Sequence, residues 1–300
     1  MTPPIEVFAE ALPRERRRVA TDLFALTKPR VVLMVLVTTL VGFYVGSPGP
    51  LDFGRLVHAL VGTALAAAGT LALNQYLERE VDGRMSRTRM RPLPDGRIQP
   101  LEALAFGALV TVAGLAYSVI AVGPLAGLVT LATTVLYLFA YTPLKLRTPF
   151  CMIVGAVPGA LPPVTGWVAA RGEFGAGAWI LFSILFLWQL PHTLAIARLY
   201  RDDYARAGVR VLPVVDPDGD STERQIVIGC LALLAAGLLP TVSGLAGVAY
   251  FTGALLLGLV FLAFGMAQAV APSTAAARRV LFASLLYLPA LLVLLALDKT

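Results

Sequence analysis

The chain has 300 residues, of which 58% are hydrophobic and 14% charged, with a net charge of +6. An ordinary soluble domain carries about 25% charged residues, so this composition argues against one and for a polytopic membrane protein. The positive excess is small and is not interleaved with stacking aromatics, which excludes a nucleic-acid partner. Cys151 and Cys230 sit in apolar segments without C-x-x-C spacing, which suggests neither a metal knuckle nor a disulfide framework.

Residues 1–28 are polar and basic, with Arg14, Arg16, Arg17 and Arg18, and lack the short apolar core of a secretory signal. They predict a cytoplasmic arm against the bilayer, followed by a single transmembrane domain over 29–300. Nine apolar runs are long enough to cross: about 30–46, 56–77, 101–121, 124–142, 151–170, 177–197, 226–245, 247–270 and 279–297. The expected fold is therefore an all-α bundle of nine transmembrane helices. With the N-terminus in the cytoplasm, 21 of the 24 Lys and Arg fall on the cytoplasmic side, and only Arg55, Arg171 and Lys299 fall opposite. That asymmetry satisfies the positive-inside rule, which an even number of spans would break.

The second span runs into N-Q-Y-L-E-R-E-V-D-G-R-M-S-R-T-R-M-R-P-L. Asn74, Glu78 and Asp82 recur every four residues, so a helix puts them on one stripe. Oxygen ligands on one stripe suit a divalent cation such as Mg2+. The arginines that follow, Arg84, Arg87 and Arg91 among them, suit phosphate. A magnesium-bridged diphosphate at a membrane surface is the expected ligand.

The fourth span ends in Y-T-P-L-K-L-R-T, where Lys145 and Arg147 add positive charge on the same side. Gly155, Pro158, Gly159, Pro162, Pro163 and Gly166 predict that the fifth span is broken, an arrangement membranes tolerate where the helix lines a cavity. The sixth span carries W-Q-L-P-H, and an ionisable His192 within a span is a functional candidate: an iron ligand, a substrate orienter or a proton acceptor. His58 reads as structural. The loop after the sixth span holds adjacent Asp202 and Asp203, which cannot share a helix face, so one of them is expected to complete a second metal site.

Taken together, N-x-x-x-E-x-x-x-D-x-x-M-x-R-T-x-x-R-P-L at Asn74–Leu93, G-A-x-P-P-x-x-G-W at Gly159–Trp167, and W-Q-L-P-H with D-Y-x-x-A-G-V-x-V-L-P within Trp188–Pro213 resemble the UbiA superfamily of intramembrane prenyltransferases, and most closely its protohaem-farnesylating branch. The resemblance implies a UbiA-like bundle whose catalytic cavity opens at the cytoplasmic side of the cell membrane. It implies Mg2+ on Glu78, Asp82 and Asp202 or Asp203, with Asn74 and Lys145 catalytic. Arg84, Arg87, Arg91 and Arg147 would bind the diphosphate of farnesyl diphosphate. Haem B would be the acceptor, with His192 and Tyr141 as candidate contacts, and haem A synthase or an oxidase-assembly protein a candidate partner. Alternative readings are a quinone-precursor or other aromatic acceptor on the same fold, a transporter, or a structural membrane subunit.

Overall fold

The computed structural model describes residues 12–216 and 218–300. The predicted N-terminal arm therefore lies partly outside the described residues, over 1–11. The remainder of the arm forms helix α1 (Leu12–Leu26). Its C-terminal half docks on the helices that follow: Leu26 is fully buried with Leu93, Ile98 and Ala103, its carbonyl accepts from Gln75 Nε2 at 2.8 Å, and Asp22 pairs with Arg97.

The remaining elements are α2 (Pro29–Gly46), α3 (Phe53–Gly83), α4 (Pro100–Tyr117), α5 (Pro124–Val135), α6 (Thr142–Leu144), α7 (Cys151–Ala160), α8 (Pro162–Arg171), α9 (Ala176–Leu199), α10 (Arg201–Arg206), α11 (Leu212–Val215), α12 (Asp220–Val242), α13 (Val248–Val270) and α14 (Thr274–Leu297). Two π-helical turns extend them, Ser118–Val122 after α4 and Leu136–Tyr141 between α5 and α6. Among the described residues, nine helical stretches are long and apolar enough to cross a membrane, one for each predicted span. The second is longer than predicted, because α3 stays helical through Glu78 and Asp82 to Gly83. Residues such as Ile120, Val270 and Leu297 stand exposed on the outer surface, as a lipid-facing surface requires and a water-facing one would not.

The local sequence explains the boundaries. Asp52 caps α3 by accepting from the Arg55 N–H at 2.9 Å, and Ser273 caps α14 by accepting from the Ala276 N–H at 3.1 Å. Pro29, Pro100 and Pro124 occupy first turns, where a missing N–H costs nothing. Gly123, at φ 140°, makes the tight reversal between the third and fourth spans. The fifth span breaks at Leu161, where Pro162 and Pro163 begin α8. There Gly166 lies against the α2 backbone at Thr39, so close that any Cβ would collide.

The loops after α3, α6 and α9 meet at one end of the bundle. Asp203 Oδ1 accepts from the Ser86 N–H at 3.3 Å, Arg87 donates to the Tyr204 hydroxyl at 2.9 Å, and the Arg210 N–H donates to the Lys145 carbonyl at 2.7 Å. At the other end Ala246 bridges Lys299 beside the turns at 47–52 and 172–175. Arg55, Arg171 and Lys299 lie at this second end.

Candidate active site

A cavity of about 500 Å³ opens beside the interlocked loops, and α2, α3, α5, α7, α8 and α9 contribute its walls. None of its lining residues comes from α12, α13 or α14. Its deeper wall is made of small and hydroxylated residues such as Thr63, Ala66, Thr70 and Thr134. Its mouth carries four cations, Lys28, Arg87, Arg91 and Lys145, against two carboxylates, Glu78 and Asp82. That surplus of positive charge is matched to a multiply charged anion.

The predicted stripe of α3 faces this cavity. Glu78 Oε1 accepts from Lys145 Nζ at 2.6 Å, and Asp82 Oδ2 accepts from Arg91 Nη1 at 2.6 Å. Both carboxylates are largely buried, and an unpaired buried carboxylate would cost several kcal/mol, so each is held by its own cation. Burial works against the charge on Lys145, but neighbouring Tyr141 and Glu78 outweigh it and hold the ammonium above its ordinary pKa. The ammonium also lies 4.4 Å from the centre of the Tyr141 ring. Arg87 lies over Tyr200 and Tyr204, with their ring centres 5.3 and 5.2 Å away. The Thr88 hydroxyl donates to the Asp82 carbonyl at 2.7 Å and curls the arginine loop back over the mouth.

Asn74 is buried, and its amide direction follows from its neighbours. Thr142 gives its hydroxyl proton to the Tyr137 carbonyl at 2.9 Å, so its oxygen accepts from Asn74 Nδ2 at 3.1 Å. Asn74 Oδ1 is left to receive Lys28 Nζ at 3.0 Å. The π-helical turn just before Pro143 supplies that carbonyl and places Tyr137 and Tyr141 on the cavity wall.

Lys28 is a site residue that the sequence reading counted only as arm charge. It sits at φ 49°, ψ 64°, the one non-glycine at positive φ among the described residues. Its N–H donates to the Ala25 carbonyl, so it closes α1 at the position where glycine is usual. A side chain there costs about 1–2 kcal/mol. Burial, then the charges of Arg91 and Lys145, push its pKa down to about 7, while Glu78 and Asp82 pull the other way. The available signal was a lysine, rather than a glycine, wedged between a helix end and the Pro29 that starts the next. Tyr137, Gln189 and Tyr204 also line the cavity and were not singled out.

Several expected residues are not brought in. Arg84 and Arg147 are exposed and do not line the cavity; each lies at a turn that points its side chain outward. Asp202 is exposed too. Asp203 is buried one residue away, but its carboxylate clamps the arginine loop through Ser86 and pairs with Arg206. Burial opposes ionisation of Asp203, yet the Ser86 and Arg87 N–H groups and Arg206 prevail and hold its pKa below the usual carboxylate value. The expected metal set of Glu78 and Asp82 with Asp202 or Asp203 is therefore not assembled: among the described residues no three His, Cys, Asp or Glu side chains converge. His192 stacks on Trp188 with ring centres 4.5 Å apart and bonds Ser284 of α14, outside the cavity lining. Of the acceptor candidates only Tyr141 lines the cavity. His58 bonds the Tyr117 hydroxyl at 2.7 Å, in keeping with a structural role.

The sequence model of the UbiA prenyltransferase family matches residues 35–288. The protoheme IX farnesyltransferase of Solibacter usitatus is 47% identical over 287 residues, covering 93% of this chain and 98% of its own length. The protein of the same name from Myxococcus xanthus is 43% identical, covering 97% of each chain. Among solved structures, a digeranylgeranylglyceryl phosphate synthase superposes with a TM-score of 0.80 at 16% identity, over 94% of this chain and 98% of that one. A UbiA homologue from Archaeoglobus fulgidus bound to GPP and Mg2+ superposes with a TM-score of 0.64 at 16% identity, over 91% and 99%.

Proposed function

The chain belongs to the UbiA prenyltransferase family, and from that premise we propose that it transfers the farnesyl group of farnesyl diphosphate to a vinyl group of protohaem IX, giving haem O and diphosphate. The observation that carries the reading is the paired-charge mouth, Glu78–Lys145 and Asp82–Arg91, set on an apolar cavity. Relatives named protoheme IX farnesyltransferase over nearly the whole chain supply the acceptor.

The diphosphate would be drawn to Lys28, Arg87, Arg91 and Lys145. As Lys145 and Arg91 turn to phosphate oxygens, they free the carboxylates of Glu78 and Asp82. Those two acidic oxygen donors, side by side on one helix face, fit Mg2+, a hard cation that takes one or two carboxylates plus substrate phosphates. Bound there, Mg2+ would offset the negative charge gathering on the leaving diphosphate. The cations of the mouth, already gathered around the cavity, act in the same sense. The allylic C–O bond breaks with its electron pair leaving on diphosphate, and the walls shield the allyl cation from water. The rings of Tyr137 and Tyr141 offer it π faces. The haem vinyl π electrons then form the new C–C bond, and water adds to the resulting cation and loses a proton, leaving a hydroxyl.

The charge asymmetry of the loops supports placing the mouth and the N-terminus on the cytoplasmic side of the cell membrane. A haem A synthase or oxidase-assembly factor would receive the product within the same membrane. The test is incubation of the purified chain with Mg2+, farnesyl diphosphate and either haem B or a panel of aromatic acids. The proposal expects farnesylated haem alone; prenylation of an aromatic acid with haem unchanged would overturn it.

A further inference from the structure

The transfer reaction makes opposite demands on water. The walls must keep it from the allyl cation, yet one molecule must reach the second cation, on the acceptor, to give the hydroxyl. One fixed place for water meets both demands, and the α9 wall supplies it. Gln189 Nε2 donates to the Ala156 and Leu185 carbonyls at 3.3 and 3.1 Å. The amide direction follows, because only the nitrogen can donate. Gln189 Oε1 is then an acceptor, and among the described residues no group donates to it. Thr193, one turn along the same helix face, gives its single hydroxyl proton to the Gln189 carbonyl at 2.6 Å, so its oxygen too can only accept. Both residues line the cavity.

The α7 wall sets where this amide sits. A Cβ on Gly155 would collide with the Tyr141 ring, and a Cβ on Gly159 would collide with Gln189 Oε1. Glycine at both positions, four residues apart on one face, seats the ring and the amide oxygen about 6 Å apart along α7. The amide is on the deeper side, because α7 starts at the mouth with Cys151.

Two acceptors with no proton left to give, one turn apart, fit a water that donates a hydrogen bond to each and turns a lone pair to the cavity. We infer that Gln189 Oε1 and Thr193 Oγ1 hold, by its two protons, the water that adds to the cation on the porphyrin side chain. The inference rests on the farnesyl-to-haem reading and deepens its last step. The water lone pair forms the new C–O bond, an O–H bond breaks, and the proton passes to the released diphosphate. Without a held water the same cation sheds a proton from the methylene beside it, and the product is an alkene lighter by one water. Gln189 and Thr193 therefore decide between hydroxyl and alkene.

The experiment is mass spectrometry of the products that the purified full chain forms from haem B, farnesyl diphosphate and Mg2+, read as the ratio of hydrated to unhydrated farnesyl-haem. A product ratio does not depend on how much folded enzyme each variant yields, and a loss of packing alone does not move it. Wild type should give the hydrated product almost entirely. Gln189→Leu should lower the ratio roughly tenfold, the effect of about one lost hydrogen bond. Thr193→Val, which keeps the side-chain size, should lower it several-fold, and Thr193→Ser should restore it. Gly159→Ala should lower it as well, because the new methyl displaces the amide without removing a polar group. A ratio unchanged from wild type in Thr193→Val and Gly159→Ala would overturn the inference while leaving the transfer reaction standing. A wild type that never farnesylates haem would instead overturn the reading on which it rests.

Discussion

The two ends of the bundle treat positive charge in opposite ways. At the end away from the cavity all three cations donate to backbone carbonyls. Arg171 Nε reaches the Gly46 carbonyl at 2.8 Å, Lys299 Nζ reaches those of Tyr44 and Ser47 at 2.7 Å each, and Arg55 reaches that of Val122 at 3.4 Å. These are the open C-terminal ends of α2 and of the turn after α4, where a cation completes unpaired acceptors and offsets the helix dipole. At the other end Lys28, Arg87, Arg91 and Lys145 face a cavity and reach side chains. A cation consumed by carbonyls is structural. A cation held by a carboxylate or an amide can be handed to a substrate.

This contrast can be broken from either side. The largest effect is expected from Asp82→Asn, which removes one charge of the stripe and leaves Arg91 without its partner: kcat should fall by roughly 10²–10³-fold, with the protein still eluting as a folded species in detergent. Near-normal turnover would mean that the stripe is only a solvated helix end. Next comes Asp203→Asn, which loosens the clamp on the arginine loop. A roughly tenfold loss of kcat/KM is expected, together with faster proteolysis between Arg84 and Arg97; an unchanged digestion pattern would remove the clamp from the account.

Lys28 sharpens the comparison through pH. With its pKa pushed down to about 7, the free enzyme carries the ammonium below pH 7 and loses it above. A bound diphosphate favours the cation, so binding takes up a proton and the KM for farnesyl diphosphate should rise as pH climbs above 7. Lys28→Met should raise KM and flatten that slope. Lys28→Gly should do the same while gaining about 1 kcal/mol of stability from relieved backbone strain. A steep slope surviving in both variants would assign the titration elsewhere. The smallest catalytic effect belongs to the opposite end: Arg171→Gln should cost about 1–2 kcal/mol of stability and leave the turnover of folded protein unchanged.

Much of this was legible in the sequence because it depends on one-dimensional quantities. Span number follows from the length of apolar runs, the two ends follow from where Lys and Arg fall, and the stripe follows from helical spacing at Asn74, Glu78 and Asp82. The break at Leu161 follows from Pro162 and Pro163. What was not legible depends on tertiary placement. Asp202 and Asp203 differ by about 100° of helix rotation, and only the packed loop shows which one turns inward. The π-helical turn at Leu136–Tyr141 leaves no periodic trace, and the left-handed Lys28 contradicts local preference. His192 was singled out by its chemistry, but whether it faced the cavity or α14 depended on a serine 92 residues away.

The most direct test combines both ends in one measurement: mass spectrometry of haems extracted from cells expressing wild type, Asp82→Asn or Arg171→Gln. Wild type and Arg171→Gln should both yield a haem heavier by one hydrated farnesyl group, and Asp82→Asn should yield only haem B. That heavier haem in Asp82→Asn cells, or its absence from wild type, would contradict the account.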